Sequence, residues 1–277
     1  MLTVWACLAM LLVPPTRIVP SGDSITLGYG ESRLATVLAA QDPNTVVIPV
    51  AQSGATTGRY LGLEPNPVTG VFLDLVEIVK IRDPDIILMM FGTNDAMQSV
   101  ADPNGVQRFD QNLRTMIDRY QAWQNRRGNT PVILLSTVIP ITDPNLPFAA
   151  GLVDAEINPR IRQIATAYEL PLIDLNAQMQ QQPDWEDWYG DGIHLWADNA
   201  AGYWWMAERF ASTIPALSSF DGCPCPGDLD CSGEIDLPDL AILLSGFGGT
   251  TGDVTFDDQT NLSDLALMLS RFGKLCD

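Results

Sequence analysis

The stretch Arg17-Ile18-Val19-Pro20-Ser21-Gly22-Asp23-Ser24 decides how this chain folds. Its apolar start, residues 17–20, predicts the first strand of a sheet, and Ser24 falls on the turn that leaves the carboxyl end of that strand. A serine in this place is open to solvent while the sheet behind it is rigid. Backbone N–H groups of the turn, near the start of the following helix, point towards whatever the serine attacks. Because Gly-Asp-Ser is also a common turn sequence, the interpretation of Ser24 as a nucleophile depends on the rest of the chain.

Apolar runs alternate with amphipathic segments downstream of this stretch. Further strands are predicted at 45–50, 85–91, 131–137 and 172–175. Helices are predicted at 31–40, 71–81, 104–125, 154–168 and 198–212, with Asp198 as a candidate cap of the last one. Strands that alternate with helices indicate an α/β fold, with a parallel five-stranded sheet covered by helices on both faces.

Polar clusters follow the first three predicted strands. They are Gly22-Asp23-Ser24, Ser53-Gly54 and Gly92-Thr93-Asn94. In a parallel sheet the carboxyl ends of the strands meet at one edge, and the working site lies there. We therefore expect the three clusters to lie close together.

The sole histidine of the chain, His194, supplies the base that a serine nucleophile needs. Asp191 lies three residues earlier, a spacing that brings a carboxylate to the second ring nitrogen and fixes the tautomer. The backbone N–H groups of Ser24 and Gly54 and the side-chain amide of Asn94 are candidate donors to the oxyanion of an acyl-transfer step. Glycine at position 54 lets the backbone approach a substrate without an intervening Cβ.

Each of these residues also has a structural interpretation. A lone histidine is usually structural, Asn94 suits a simple turn, and Asp191 suits a cap of the turn before Leu195. Asp23 is assigned no chemical role beyond holding the shape of its loop. The occurrence of all four elements on one predicted sheet edge favours catalysis over these alternatives.

The same residues resemble the four consensus blocks of the SGNH (GDSL) hydrolase family. The blocks are Gly-Asp-Ser-Ile-Thr at 22–26, the glycine loop at Gly54, Gly-Thr-Asn-Asp at 92–95 and Asp-Gly-Ile-His at 191–194. The resemblance covers residues 16–215 and implies a flavodoxin-like three-layer αβα sandwich and a serine esterase that needs no cofactor for catalysis. It implies Ser24 as nucleophile and oxyanion donor, Gly54 and Asn94 as the other donors, and His194 and Asp191 as base and orienting carboxylate.

Charge and composition limit the possible partners. The 277 residues suffice for a domain of about 200 residues and a smaller one. A net charge of −19 argues against nucleic-acid binding and against docking on anionic membranes, since both need clustered lysine and arginine. From residue 221 onwards there are 11 acidic and 2 basic residues, which indicates a cation-binding role for the tail.

The two ends of the chain suggest export. Residues 1–13 form an apolar run before Pro14-Pro15, which is too short to span a bilayer and suits a secretory signal over 1–15; the alternative is a buried N-terminal segment. No other stretch approaches 18 uninterrupted apolar residues.

Four of the five cysteines lie in the tail: Cys223, Cys225, Cys231 and Cys276. An even number confined to a small module favours disulfides, and a secreted or cell-surface location, over reduced thiols. The first two are too close to pair with each other, and the pairing order stays open.

The tail contains a repeat. Residues 236–248 recur at 261–273, with 8 of 13 positions identical at an offset of 25. The loop before the first copy has the register of an EF-hand calcium loop, with candidate ligands Asp228, Asp230, Ser232, Asp236 and Asp239 and a turn glycine at 233. The second loop offers Asp253, Asp257, Asn261 and Asp264 but lacks that glycine, so it should bind calcium more weakly or not at all. The alternative is a solvated acidic repeat.

Two such copies resemble a dockerin domain over 223–277, joined to the first domain by a linker at 216–222. The resemblance implies a small all-α module that folds with structural Ca²⁺ and docks to a cohesin-like partner. The alternative is a calcium- and disulfide-stabilised anchor with no cohesin partner.

The function predicted from the sequence is a secreted serine esterase that removes O-acetyl groups from polysaccharide. Aromatic residues around His194, which suit stacking on sugar rings, support that substrate, although they equally suit packing of the last helix. A lipase, lysophospholipase or thioesterase of the same family is the first alternative. A non-catalytic binding protein attached to a scaffold is the second.

Overall fold

A computed structural model describes residues 15–30, 32–197, 201–218, 227–230, 232, 234–249, 252–254 and 259–274. The chain divides into two compact units, Met1–Leu170 with Asp174–Glu208, and Pro171–Ile173 with Arg209–Asp277. Within the described ranges no helix is both long enough and apolar enough to cross a bilayer.

The first unit is built on a parallel sheet. Its strands are β1 (Thr16–Gly22), β2 (Thr45–Val47), β3 (Val50–Ala51), β4 (Ile86–Met90) and β5 (Val132–Ser136), and the sheet also includes β6 (Leu172–Ile173). The strand order is β2-β1-β4-β5-β6, with β3 also paired to β1. All registered pairs of β1 to β5 are parallel. If β2 and β3 count as one interrupted strand, this is the 2-1-3-4-5 order of flavodoxin-like sheets.

The sheet has six strand segments where the sequence predicts five strands. The predicted strand at 45–50 is divided, because β2 pairs with the start of β1 and β3 with its end, and Ile48-Pro49 lies between them. Proline has no backbone N–H for the ladder. The Ile48 N–H still donates to the Ile18 carbonyl, so the two halves follow one edge of β1.

Helices connect the strands. They are α1 (Ser24–Gly30), α2 (Arg33–Gln41), α3 (Thr57–Tyr60), α4 (Leu75–Ile81), α5 (Thr93–Ser99), α6 (Gly105–Gln121), α7 (Pro147–Leu152), α8 (Asn158–Ala167), α9 (Leu175–Met179) and α10 (Ala201–Ser218). Five of them lie at the predicted places, and five short ones, α1, α3, α5, α7 and α9, were not predicted. Helix α4 is shorter than predicted because Asp74 caps it, accepting from Val76 N and Glu77 N. A π-helical turn, Val153–Ile157, precedes α8, and α10 continues to Ser218 where the sequence predicts an end at residue 212.

The core of the first unit lies on the central strands. All five residues of β4 are buried, as expected for a strand covered on both faces. Helix α6 presents Phe109, Leu113, Met116 and Ile117 as buried residues in the 3–4 spacing of one helix face. This packing fixes the carboxyl edge of the sheet, from which Ser24 and Asn94 emerge.

The described tail contains two pseudo-equivalent halves, built on α11 (Leu237–Ser245) and α12 (Leu262–Arg271). Asp239 accepts from the N–H groups of Leu229 and Asp236, and Asp264, 25 residues later, accepts from those of Val254 and Asn261. A small core of Ile235, Leu243, Val254 and Met268 lies between the two halves. The repeat in the sequence is therefore also a repeat of hydrogen bonds.

Some of the predicted features lie outside the described residues. They are residues 1–14, Asp198, most of the linker (219–222), Cys223, Cys225, Cys231, Gly233, Asp257 and Cys276.

Candidate active site

A continuous hydrogen-bonded chain joins three residues that are far apart in the sequence. The Ser24 Oγ atom lies 2.8 Å from His194 Nε2, across 170 residues of chain. His194 Nδ1 lies 2.8 Å from Asp191 Oδ2 on its other side. In the neutral tautomer Nδ1–H donates to the carboxylate, which leaves Nε2 free to accept the serine proton. The structure thus brings together the hydroxyl, base and carboxylate that the sequence predicts.

Backbone contacts hold the histidine loop. Tyr189 and Leu195 form an isolated antiparallel bridge, and Gly190 N–H donates to the His194 carbonyl over 2.8 Å. At the tip of the loop, the Gly192 carbonyl accepts from Thr142 N–H at 2.7 Å. Gly192 has a φ of +79°, a left-handed conformation that glycine adopts without strain. The loop that carries His194 is therefore tied to the segment that follows β5.

The Asp191 carboxylate remains ionised in weak acid. Partial burial works against ionisation, but hydrogen bonds from the backbone N–H and ring of His194 and from Ile193 N–H outweigh it and lower the pKa of Asp191 to about 2. The Asp191 side chain is 58% exposed, so much of its field is screened by water. A carboxylate bonded to Nδ1 in this way can fix the orientation and tautomer of the ring.

The two other candidate oxyanion donors lie on loops that leave the same sheet edge as Ser24. Gly22, at the end of β1, is in register with Ala51 in β3 and Met90 in β4, so Gly54 and Asn94 follow at corresponding places. Gly54 has a φ of +71°, and only Arg59 Nη1 lies within 4 Å of the Cβ that another residue would add. Gly22 itself is tightly enclosed, since a Cβ there would lie 2.6 Å from the Met90 carbonyl.

Asp23 also lies in this site, and its contact there was not predicted from the sequence. Its side chain is 1% exposed, and its Oδ2 accepts from Asn94 Nδ2 at 3.0 Å. Burial raises the pKa of Asp23 to about 6, against the lowering effects of the Ile25 N–H and of the His194 charge. No periodicity or motif spacing links residue 23 to residue 94. The only available signal was its position beside a nucleophile at a sheet edge.

A second buried carboxylate ties the neighbouring loops. Asp95 is 5% exposed and accepts from both the N–H and the hydroxyl of Thr57, the latter at 2.6 Å. Burial is the main cause of its pKa rising to about 7. The segment after Gly54 is thus joined to α5, which carries Asn94 in its first turn.

The aromatic residues near His194 fall into two groups. Tyr203 packs over Gly28, and Trp188 packs against Trp205 with ring centroids 5.7 Å apart, so these rings hold α10 in place. Trp196, two residues after His194, is 51% exposed and rests against Gly190. Among the aromatic residues near His194, Trp196 is the most exposed, and Trp204 is 38% exposed.

The described tail contains a group of carboxylates that suits a cation. One ligand oxygen from each of Asp228, Asp230 and Asp239 lies within 4.8 Å of the others. Asp236 Oδ1 is enclosed and has no hydrogen-bond partner among the described residues. Oxygen donors of this kind are what Ca²⁺ prefers.

Together, the first unit holds a hydroxyl, an imidazole and a carboxylate in one hydrogen-bonded chain, with backbone and side-chain amides on adjacent loops. This arrangement is suited to acyl transfer. A family model described as the GDSL-like Lipase/Acylhydrolase family matches residues 21–205 of the chain. No curated protein matches the chain by sequence.

Several solved structures are similar to the chain. A lipase/acylhydrolase from Enterococcus faecalis shares 25% identity with a TM-score of 0.55, covering 73% of this chain and 96% of that one. A GDSL-like lipase from Bacteroides thetaiotaomicron shares 20%, with a TM-score of 0.52 and coverages of 78% and 97%. The acetylxylan esterase Axe2 from Geobacillus stearothermophilus shares 18%, with a TM-score of 0.55 and coverages of 73% and 95%.

Proposed function

Because the chain belongs to the GDSL-like lipase/acylhydrolase family and is a serine hydrolase acting on ester bonds, we propose that Ser24, His194 and Asp191 are its catalytic residues. The observation that carries this assignment is the 2.8 Å contact between Ser24 Oγ and His194 Nε2, continued at 2.8 Å to Asp191. The proposed reaction mechanism follows from how these hydrogen-bonded groups act on an ester.

The reaction proceeds by two acyl transfers. Ser24 Oγ attacks the ester carbonyl carbon while His194 Nε2 takes the hydroxyl proton. The Ser24 and Gly54 N–H groups and Asn94 Nδ2 donate to the carbonyl oxygen as it becomes negative. The imidazolium returns its proton to the departing alcohol oxygen, and a water activated by His194 then releases the acid from Ser24.

Replacement of Ser24 tests this assignment. Ser24→Ala should lower kcat on p-nitrophenyl acetate by on the order of 10³-fold or more, because no other group takes over the attack. Turnover equal to that of the wild type would refute the catalytic assignment, and an absence of turnover in the wild type would favour the alternative of a non-catalytic binding protein.

We propose acetylated polysaccharide as the substrate class. Trp196 is the supporting observation, since a half-exposed indole two residues from the base can stack on a sugar ring. The fold likeness to an acetylxylan esterase and the dockerin-like tail agree with this choice. In the alternative, a lipid or thioester substrate would place its acyl chain in an open apolar groove of about 510 Å³ at the carboxyl end of α5, lined by Val100, Pro147, Phe148 and Leu152 among others.

Paired variants separate the two substrate classes. Trp196→Ala should lower kcat/KM on acetylated xylan while leaving p-nitrophenyl acetate turnover unchanged. Phe148→Ala, which truncates a side chain that is 76% exposed in the groove, should leave both unchanged. A loss of activity on long-chain acyl esters in Phe148→Ala, with xylan unaffected by Trp196→Ala, would favour the lipid class.

We also propose that the tail is a dockerin-like calcium module. Asp228, Asp230 and Asp239 would hold Ca²⁺ together with Asp236, whose pKa is raised by burial and by the carboxylates around it. Ser232 completes the ligand set that the sequence predicts. The second loop, with Asp253, Asp257, Asn261 and Asp264, is proposed as a weaker site.

Repeated exposed side chains support a protein partner for this module. Three exposed apolar pairs occur at the same offset of 25: Leu237 with Leu262, Leu244 with Leu269, and Phe247 with Phe272. Leu244→Lys with Leu269→Lys should abolish binding to a panel of cohesin modules, with esterase activity as the control. Unchanged binding would refute this surface, and no binding by the wild type would favour the anchor without a cohesin.

A secreted or cell-surface location with disulfides among the tail cysteines is proposed on the sequence alone.

A further inference from the structure

Asp23 is directed away from solvent although it lies next to the reactive serine. Its Oδ1 accepts from Ile25 N–H at 2.9 Å, which shapes the turn, and its Oδ2 accepts from Asn94 Nδ2 at 3.0 Å. We propose that Asp23 is a positioning residue for ester hydrolysis, which fixes the amide of Asn94 so that its second N–H faces the oxyanion. This inference rests on the proposed function of Ser24 and Asn94.

The geometry of a primary amide explains why such a partner is needed. Its two N–H bonds lie in one plane, so an acceptor that holds one of them also fixes the direction of the other. Without Asp23 the amide of Asn94 is free to rotate, or to flip and present its carbonyl oxygen. A carbonyl at that place would repel the developing negative charge instead of stabilising it.

Asp95 fixes the backbone that carries this amide. Its carboxylate accepts from Thr57 N–H and the Thr57 hydroxyl, and Asn112 Nδ2 lies 3.3 Å from the same hydroxyl. The start of α5 is therefore held from one side through residue 95. The side chain of residue 94 still has rotational freedom, and Asp23 is the partner that removes it.

The first test is a double-mutant cycle on p-nitrophenyl acetate. An asparagine at position 23 has one carbonyl oxygen and so satisfies only one of the two donors. Asp23→Asn should therefore lower kcat by about 10- to 100-fold, a smaller loss than that caused by removing an oxyanion donor. KM should change less than threefold. If Asp23 acts through Asn94, the double variant Asp23→Asn/Asn94→Ala should have the kcat of Asn94→Ala within about threefold.

Two further variants separate position from charge and from stability. Asp23→Glu keeps the negative charge but displaces the carboxylate, so it should also lower kcat and also lose its effect in the Asn94→Ala background. If Asp23→Asn does not fold, Asp23→Glu replaces it in the double-mutant cycle. Asp85→Asn is the matched control, because Asp85 accepts from Asn125 Nδ2 at 3.0 Å beside the amino end of β4. It should lower the melting temperature without changing kcat.

The outcomes are distinct. Effects of Asp23→Asn and Asn94→Ala that multiply in the double variant, or a wild-type kcat for Asp23→Glu, would overturn the positioning role while leaving the proposed function intact. Wild-type turnover by Ser24→Ala would instead overturn the proposed function itself. A loss of kcat in Asp85→Asn equal to that in Asp23→Asn would show that kcat follows general stability, and would also overturn the proposal.

Discussion

Replacing Gly192 by alanine should disturb the base without touching any reacting group. Gly192 lies between Asp191 and His194, has a φ of +79°, and its carbonyl is held by the N–H groups of Thr142 and Asp143. A Cβ at this position would lie 2.5 Å from both the Cα and the N of Asp143. These are backbone atoms, so no rotation of a flexible side chain can relieve the contact.

The size of the effect follows from these distances. Ordinary contact begins near 3.4 Å, so the two segments must separate by roughly 0.9 Å, and the left-handed φ adds about 1 kcal/mol of strain. Misplacement of a catalytic group by about 1 Å can cost on the order of 100-fold in rate. Gly192→Ala should therefore lower kcat on p-nitrophenyl acetate about 100-fold and destabilise the fold by about 1–3 kcal/mol.

Gly128 supplies the matched control. It has a φ of +84°, but no atom lies within 4 Å of the Cβ that alanine would add. Gly128→Ala should cost about 1 kcal/mol in urea unfolding and leave kcat unchanged. Both variants would be assayed for kcat, KM and unfolding free energy at one temperature. A folded Gly192→Ala enzyme with the kcat of Gly128→Ala would refute the argument that the Gly192 contact positions His194.

Three other perturbations give separate readouts. Asp191→Asn should lower kcat by on the order of 10³- to 10⁴-fold, because the carboxylate that orients His194 is lost. The melting temperature should change little, because the Asp191 side chain is 58% exposed. A loss of kcat below tenfold would contradict the assignment. Burial raises the pKa of Asp95 to about 7 in the folded state, above its unfolded value of 3.8. Between these pH values the native state binds a proton that the unfolded state has lost. The free energy of unfolding should therefore fall as pH rises from about 4 to 7, by up to about 4 kcal/mol. Urea unfolding at pH 4.5 and pH 8 should show a smaller difference for Asp95→Asn than for the wild type, and an equal difference would contradict the raised pKa. In the tail, Asp239→Ala should remove both a cap and a ligand of the stronger calcium loop, so EDTA should lower its melting temperature much less than that of the wild type. Asp264→Ala should keep most of the response to EDTA, and esterase activity should be unchanged in both variants. An undiminished EDTA response in Asp239→Ala would place the cation elsewhere.

The position of the Ser24 loop was predictable because it depends on strand order and alternation. An apolar run that ends in Gly-Asp-Ser, a second that leads to Gly54 and a third that ends in Gly-Thr-Asn point to one edge of a parallel sheet. The division of the second strand was also readable in principle, since Pro49 lies inside an otherwise regular run. The late start of α4 was not predicted, because the apolar spacing continues upstream of the Asp74 cap.

The contacts between loops were not predictable from the sequence. Asp23 with Asn94, Asp95 with Thr57, and Gly192 with Thr142 each join segments between 38 and 71 residues apart. Neither residue of such a pair contains a local signal for the other, because the pairing arises only when the sheet has brought the loops together. Motif order and local spacing find the reacting groups and Asp191, whereas the contacts that join separate loops become visible only in three dimensions.

Two carboxylate–amide pairs at different ends of β4 show what is specific to the site. Asp85 accepts from Asn125 Nδ2 and also faces the Arg127 guanidinium at 3.2 Å, so a cation balances its charge. The hydrogen bonds to Asp23 come from neutral donors, and the cation that its charge meets is His194 after proton transfer. Asp23 therefore orients Asn94 without bringing a cation near the oxyanion, whereas an arginine in that place would compete for it. If the charge of Asp23 also favoured the imidazolium, Asp23→Asn would be slower than Asp23→Glu when both carry Asn94→Ala. Equal kcat values of these two double variants, within about threefold, are therefore expected of a residue that acts through geometry alone.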